Sequence, residues 1–163
     1  MSDPPKIMCT VGAVVRKDDG ILFVRQTYGS LKDMWTLPWG LVEGQSSERA
    51  EVDTPEMAAC REVLEEGGVS ASVNSLIAVQ NFVSKGGNYM LMFVFLCDYL
   101  GGEPKPDMKE TSESLFLTKD ALASRRDECD RYCYWIANRV LDGDFRQLHL
   151  SDQSPYRPHL GFY

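Results

Sequence analysis

Ala58-Ala59-Cys60-Arg61-Glu62-Val63-Leu64-Glu65-Glu66-Gly67-Gly68-Val69 places three glutamates and an arginine within six consecutive positions. Good helix formers dominate the stretch and it contains no proline. Thr54 suits the N-cap, Pro55 suits the first turn, where its missing N–H is no loss, and glycine takes the left-handed C′ conformation cheaply. The spacing therefore predicts a helix over 55–66. Glu62, Glu65 and Glu66 stand at i, i+3 and i+4 and share one face. Met57, Val63 and Leu64 lie away from that face and are expected to bury. Like charges at helical spacing repel by about 0.2–0.5 kcal/mol per pair, and no lysine is interleaved. Either the stretch is a solvated acidic helix end, or a hard divalent cation such as Mg²⁺, which takes oxygen ligands together with waters and phosphates, supplies the counter-charge.

The residues upstream decide between these readings. They run Trp35-Thr36-Leu37-Pro38-Trp39-Gly40-Leu41-Val42-Glu43, with Asp53 further on. Together with Arg61-Glu62-Val63-x-Glu65-Glu66-x-Gly68-Val69 they resemble the Nudix box, G-x5-E-x7-R-E-U-x-E-E-x-G-U, where U is aliphatic. The second half matches at every specified position. The first half departs in three ways. Trp39 stands where a glycine is usual before Gly40, Asp53 replaces the usual glutamate, and the spacing from Gly40 to Asp53 is longer by seven residues. An inserted loop is therefore expected within 44–52, and its polar composition and place beside the box suit a role in specificity.

The resemblance implies an α/β fold, the Nudix α/β/α sandwich with a mixed β-sheet, and a pyrophosphohydrolase acting with Mg²⁺ or Mn²⁺. It implies that Glu62, Glu65 and Glu66 are metal ligands, with the Gly40 carbonyl as another. Arg61 would pair with Asp53 or orient a glutamate, its guanidinium forking onto carboxylates. A further glutamate before the last strand would serve as base or extra ligand. Glu110 is preferred over Glu113, because it follows Gly101-Gly102-Glu103-Pro104 at the family-like distance. Arg25, at the end of the second strand, is either a contact to substrate phosphates or a surface arginine. Trp39 either packs on the sheet or lines the substrate cleft.

The rest of the chain agrees with one Nudix domain spanning 1–163. Of 163 residues, 44% are hydrophobic and 25% charged, a globular balance, and the net charge of −7 argues against a nucleic-acid surface. Residues 1–6 read as a loose polar tail rather than a leader, no apolar run approaches a membrane helix, and five scattered cysteines without C-x-x-C suit reduced thiols in the cytoplasm. Strands are expected at 7–15, 21–25, 75–83, 89–100 and 113–118, with a glycine turn at 17–20 and a hairpin at 84–88. The nearly unbroken apolar run 89–100 predicts a central strand covered on both faces. Helices are expected at 119–125 and 130–141, with the aromatics of the latter in the core. Residues 145–163, with His149 and His159, have no assignable place.

The expected substrate is a small nucleoside diphosphate linked to another moiety. The S-Q-P-W-P-F-P run of the NADH-cleaving branch is absent, and no proline lies between Pro55 and Pro104, where many ADP-ribose-cleaving members carry one. The alternative is a Nudix module that binds such a ligand without catalysis, and a homodimer is compatible with the sequence.

Overall fold

The computed structural model describes residues 7–43, 53–84, 87–151 and 161–162; the expectations for residues 1–6, the loop 44–52 and His159 fall outside them. In chain order the elements are β1 Ile7–Lys17, β2 Gly20–Gln26, a 3-10 turn Gly29–Leu31, β3 Trp35–Thr36, β4 Trp39–Leu41, α1 Pro55–Gly67, β5 Ser70–Val83 and β6 Tyr89–Gly101. They continue with β7 Thr111–Thr118, α2 Lys119–Ser124, a 3-10 turn Arg126–Glu128, α3 Arg131–Leu141, β8 Leu148–Ser151 and β9 Gly161–Phe162.

One mixed sheet runs β3-β2-β1-β6-β5-β8-β9, with β4 paired to β1 and β7 to β2. The β1–β6 pair is parallel and the others are antiparallel. Strand alternation sorts side chains between two cores. Val11, Ala13 and Val15 of β1 and Leu22 of β2 pack with Ala58, Ala59 and Val63 of α1. Val14, Ile21 and Phe23 turn the other way, to Leu122 of α2 and Ile136, Ala137 and Val140 of α3. Helices thus cover both faces, as the expected sandwich requires. Among the described residues no helix is long and apolar enough to cross a membrane.

The ends of α1 follow the sequence. Thr54 Oγ1 accepts the Met57 N–H at 3.4 Å, Pro55 opens the first turn, and Gly68 closes the helix at φ 74°, donating its N–H to Leu64 O at 3.0 Å. A Cβ at Gly68 would lie 2.5 Å from the Lys105 carbonyl oxygen, so glycine serves both the left-handed turn and the close approach. The expected burial of Met57 and Leu64 is corrected: both are about half exposed, and α1 buries Ala58, Ala59, Glu62, Val63, Glu66 and Gly67. Small alanines let the helix lie close to the sheet, and this turns part of the acidic face inward. Met57 and Leu64, seven residues apart, share the outward side.

Other departures have local causes. Strand β5 begins at Ser70, five residues early, because bulges between Val73 and Ser75 and between Leu76 and Ala78 break its alternation. Strand β7 begins at Thr111. Strand β6 is central in the sheet but buried only over Val94, Phe95, Leu96 and Cys97. The positive φ of the first hairpin falls on Asp18, not Gly20. Trp135 is half exposed rather than core: Tyr132 lies 5.8 Å and the Arg139 guanidinium 5.1 Å from its ring. The unplaced tail extends the sheet, β8 on β5 and β9 on β8, with His149 exposed.

Candidate active site

Antiparallel pairing sets Gly40 opposite Val11 and Trp39 opposite Gly12, which lays β4 beside α1. A Cβ on Gly40 would sit 1.9 Å from Glu62 Oε1 and 2.1 Å from its Cδ. Only glycine lets the main chain lie against that carboxylate. One turn along α1, Glu66 is 3% exposed; its Oε2 accepts the Trp39 N–H at 3.0 Å and its Oε1 accepts Gln26 Nε2 at 3.2 Å. Loop, strand and helix therefore meet at two buried carboxylates.

Arg61 ties the acidic face together. Its Nη1 donates to Glu62 Oε1 at 2.6 Å and Glu65 Oε2 at 3.1 Å, its Nε to Asp53 Oδ2 at 3.1 Å, and its Nη2 to the Leu41 carbonyl at 3.0 Å. Both sequence-level options for Arg61 hold at once: the shorter Asp53 still reaches it, and it orients Glu62. Burial works against the Arg61 charge, but the adjacent carboxylates, Glu62 foremost, outweigh it. Glu65 is exposed at the rim.

The two inner carboxylates are hard to ionise. Burial pushes Glu62 up to about 7 against the opposing effect of Arg61, and Glu65 and Glu110 add to the rise. Burial pushes Glu66 up to about 8 despite its two donors, with Glu62 and Glu110 adding to it. Glu110 is thus near enough for its charge to act on both.

The loop bearing Glu110 is pinned rather than free to lean. Asp107 Oδ1 accepts the N–H groups of Lys109, Glu110 and Thr111, each at 2.9 Å. Against the burial that would raise it, those donors hold the Asp107 carboxyl below its ordinary value. Thr27 donates its N–H to Glu110 O at 2.9 Å, and Thr111 Oγ1 donates to Glu66 O at 2.9 Å. Tyr28 OH donates to Glu110 Oε2 at 3.1 Å; burial, then Glu110, Glu66 and Glu62, push that hydroxyl up to about 12.

Glu113 is engaged elsewhere, accepting from Arg25 Nη1 at 2.8 Å. Arg25 and Gln26 alternate along β2, so Arg25 leaves the acidic group on the opposite side. With Trp35, Glu113, Ser124, Arg125 and Glu128 it lines an open cleft of about 350 Å³ beside α2. The structure therefore does not bring Arg25 to the carboxylates. Trp39 is half buried, and its indole Nε1 is buried without a hydrogen-bond partner among the described residues. Gln26, Tyr28, Thr111 and Asp107 were not foreseen. A glutamine ending an apolar strand and a Thr-Tyr pair after it were the available signals.

Among the described residues no three His, Cys, Asp or Glu side chains form a ready all-protein metal cage. The donor set nonetheless fits a hard cation. It is all oxygen, two of its carboxylates resist ionisation without a counter-charge, and Mg²⁺ commonly completes one or two carboxylates with waters and substrate phosphates.

A family model of the NUDIX domain matches residues 7–143. The chain is similar to a MutT-like protein of Streptomyces ambofaciens, 31% identical over 141 residues covering 86% of this chain and 79% of that protein. It is similar to an ADP-ribose pyrophosphatase of Methanocaldococcus jannaschii, 32% identical over 103 residues, and the match spans 61% of this chain and 57% of that protein's length. Among solved structures it shares its fold with a NUDIX hydrolase from Nitrosomonas europaea, at a TM-score of 0.70 and 22% identity, covering 91% of this chain and 100% of the other. A bifunctional NMN adenylyltransferase/ADP ribose pyrophosphatase from Francisella tularensis, complexed with AMP and an Mn ion, superposes at a TM-score of 0.71 and 19% identity over 88% of this chain and 43% of that one. The chain belongs to the NUDIX family and is one of its hydrolases, acting on phosphorus-containing acid anhydrides.

Proposed function

We propose that the protein is a divalent-cation-dependent pyrophosphohydrolase whose substrate is a nucleoside diphosphate linked to a second moiety. The observation that carries this reading is the pair of buried carboxylates, Glu62 set against the Gly40 main chain and Glu66 held by the Trp39 N–H, with Glu110 near enough for its charge to act on both. Glu62, Glu65, Glu66 and the Gly40 carbonyl would hold Mg²⁺ or Mn²⁺, with Glu110 as base or further ligand. The cation, when bound, neutralises phosphate charge and acidifies water. Arg61 keeps Glu62 in place and is itself held by Asp53 and Leu41. Glu110 takes the proton as a water oxygen attacks phosphorus, and the bridging P–O bond breaks to release a second phosphate-bearing product. Tyr28 and the Asp107 turn hold Glu110 for that step. Trp39 supplies the N–H that fixes Glu66, and its indole would contact the substrate.

The ADP-ribose pyrophosphatase relative and the AMP and Mn ion in the Francisella structure support a nucleotide-derived substrate. The test is a mixed panel of nucleoside diphosphate derivatives, incubated with and without Mg²⁺ and read by mass spectrometry. Cleavage at a pyrophosphate bond that requires the cation and is lost in Glu66→Gln is expected. Cation-independent turnover, or full activity in Glu66→Gln, would overturn the reading.

A further inference from the structure

We propose that two copies of the chain join through the outer edge of β5, pairing antiparallel about a two-fold axis centred on Asn81. Strand β8 pairs with β5 at Ser75 and Leu76 only. Among the described residues no strand pairs with the outer edge beyond that point, while the inner edge of 79–83 is occupied by β6. An open edge strand presents a row of main-chain donors and acceptors, and proteins usually protect it with charge, proline or a bulge. Strand β5, SASVNSLIAVQNFV, contains no charged residue and no proline, and its bulges all lie before Val79.

The side chains show which occupant fits. Residues 79–83 are all exposed, Val79 at 54% and Val83 at 59%. They read Val-Gln-Asn-Phe-Val, a pattern nearly symmetric about Asn81. In an antiparallel self-pair centred there, Val79 of one copy faces Val83 of the other on one side of the sheet, twice over. Asn81 faces Asn81 between them, and Gln80 faces Phe82 on the other side. The apolar row continues inward, because Val83 stands opposite Tyr89 and Tyr89 opposite Ile7, both also exposed. A chain of net charge −7 repels its own copy, and this uncharged strand lets the two approach without setting like charges opposite each other. The strand's own sequence is thus the complement its edge calls for.

Two variants and a concentration series test this on the full chain. Light scattering after size exclusion should give a dimer mass for the native protein. The double variant Val79→Lys with Val83→Lys should run as a monomer with an unchanged circular dichroism spectrum, since both positions are exposed. Asn81→Cys should form an intermolecular disulfide under mild oxidation that maps to residue 81 in both copies, because directly opposed strand residues have Cα atoms about 4.5–5.5 Å apart, within disulfide reach. The native chain, with its five cysteines, is the control. A native monomer at every concentration, a dimer that survives the lysine pair, or an oxidised dimer bridged elsewhere would each overturn the proposal.

Discussion

Gly40→Ala adds one carbon where the structure has least room. The new Cβ would lie 1.9 Å from Glu62 Oε1, 2.1 Å from Cδ and 2.7 Å from Oε2, against an ordinary contact of 3.4 Å or more. The obstacle is the end of a side chain, so the main chain of β4 keeps its place opposite Val11 and Glu62 swings away. Relief requires a carboxylate shift of about 1.5 Å, enough to break its 2.6 Å bond to Arg61. Losing a charged hydrogen bond of this kind costs about 2 kcal/mol, a fall of roughly 4–8 °C in Tm for a chain of this size. The catalytic loss should be larger, because a misplacement of about 1 Å at a reacting group costs about 10²-fold. Thermal melts and steady-state turnover at saturating Mg²⁺ separate the two effects. A variant that is folded and at least a hundredfold slower is expected. Turnover within threefold of native would refute the assignment of Glu62 and the Gly40 carbonyl to the cation site.

Three further outcomes are expected. Glu62 and Glu66 sit at about 7 and about 8 in the folded metal-free protein against an ordinary 4.5, so the folded state holds more protons than the unfolded one across that window. Without metal, Tm should therefore fall as pH rises from about 5 to about 8, and Mg²⁺ should raise Tm most at the alkaline end; a rising metal-free Tm there would contradict the burial argument. Tyr28→Phe removes the donor to Glu110 Oε2 from a half-exposed side chain, so kcat should drop several-fold with KM and Tm nearly unchanged; a change confined to KM would place Tyr28 on the substrate instead. Asp107→Ala strips one acceptor from three N–H groups and should lower stability by about 1–3 kcal/mol and kcat with it, with Asp107→Asn recovering part of both; native kinetics in the alanine variant would show that the turn does not position Glu110.

The helix and its partners were legible because they are local. Cap, proline, glycines and carboxylate spacing all lie within fifteen residues, and short-range geometry fixes their relation. Which side of α1 faces the sheet was not legible. A helical wheel gives the phase of residues relative to one another, and Met57, Val63 and Leu64 were expected inside because they are apolar and lie away from the carboxylates. The close approach allowed by Ala58 and Ala59 put Glu62 and Glu66 inside with Val63 and left Met57 and Leu64 outside. Glu110 was found by spacing, but its support was not. Thr27 and Tyr28 reach it across 82–83 positions of sequence, and that meeting exists only once β2 and β7 have paired. The onset of β5 was missed because bulges erase the alternation that marks a strand.

The parallel pairing of β1 with β6 bears on how the molecule reaches this state. Ile7 lies beside Tyr89 and Arg16 beside Asp98, partners 82 residues apart along the chain. The strand that seats β4, and through it Gly40, gains its partner on that side only after about half the polypeptide has been made. Hairpin β5–β6 and helix α1 form from nearby residues, whereas closing β1 onto β6 must first overcome the entropy of a long loop. Assembly of the two halves of the acidic site should therefore be a late event. During synthesis an emerging chain would keep the α1 carboxylates in water, and would become able to act only when β1 is captured and the helix can pack on it.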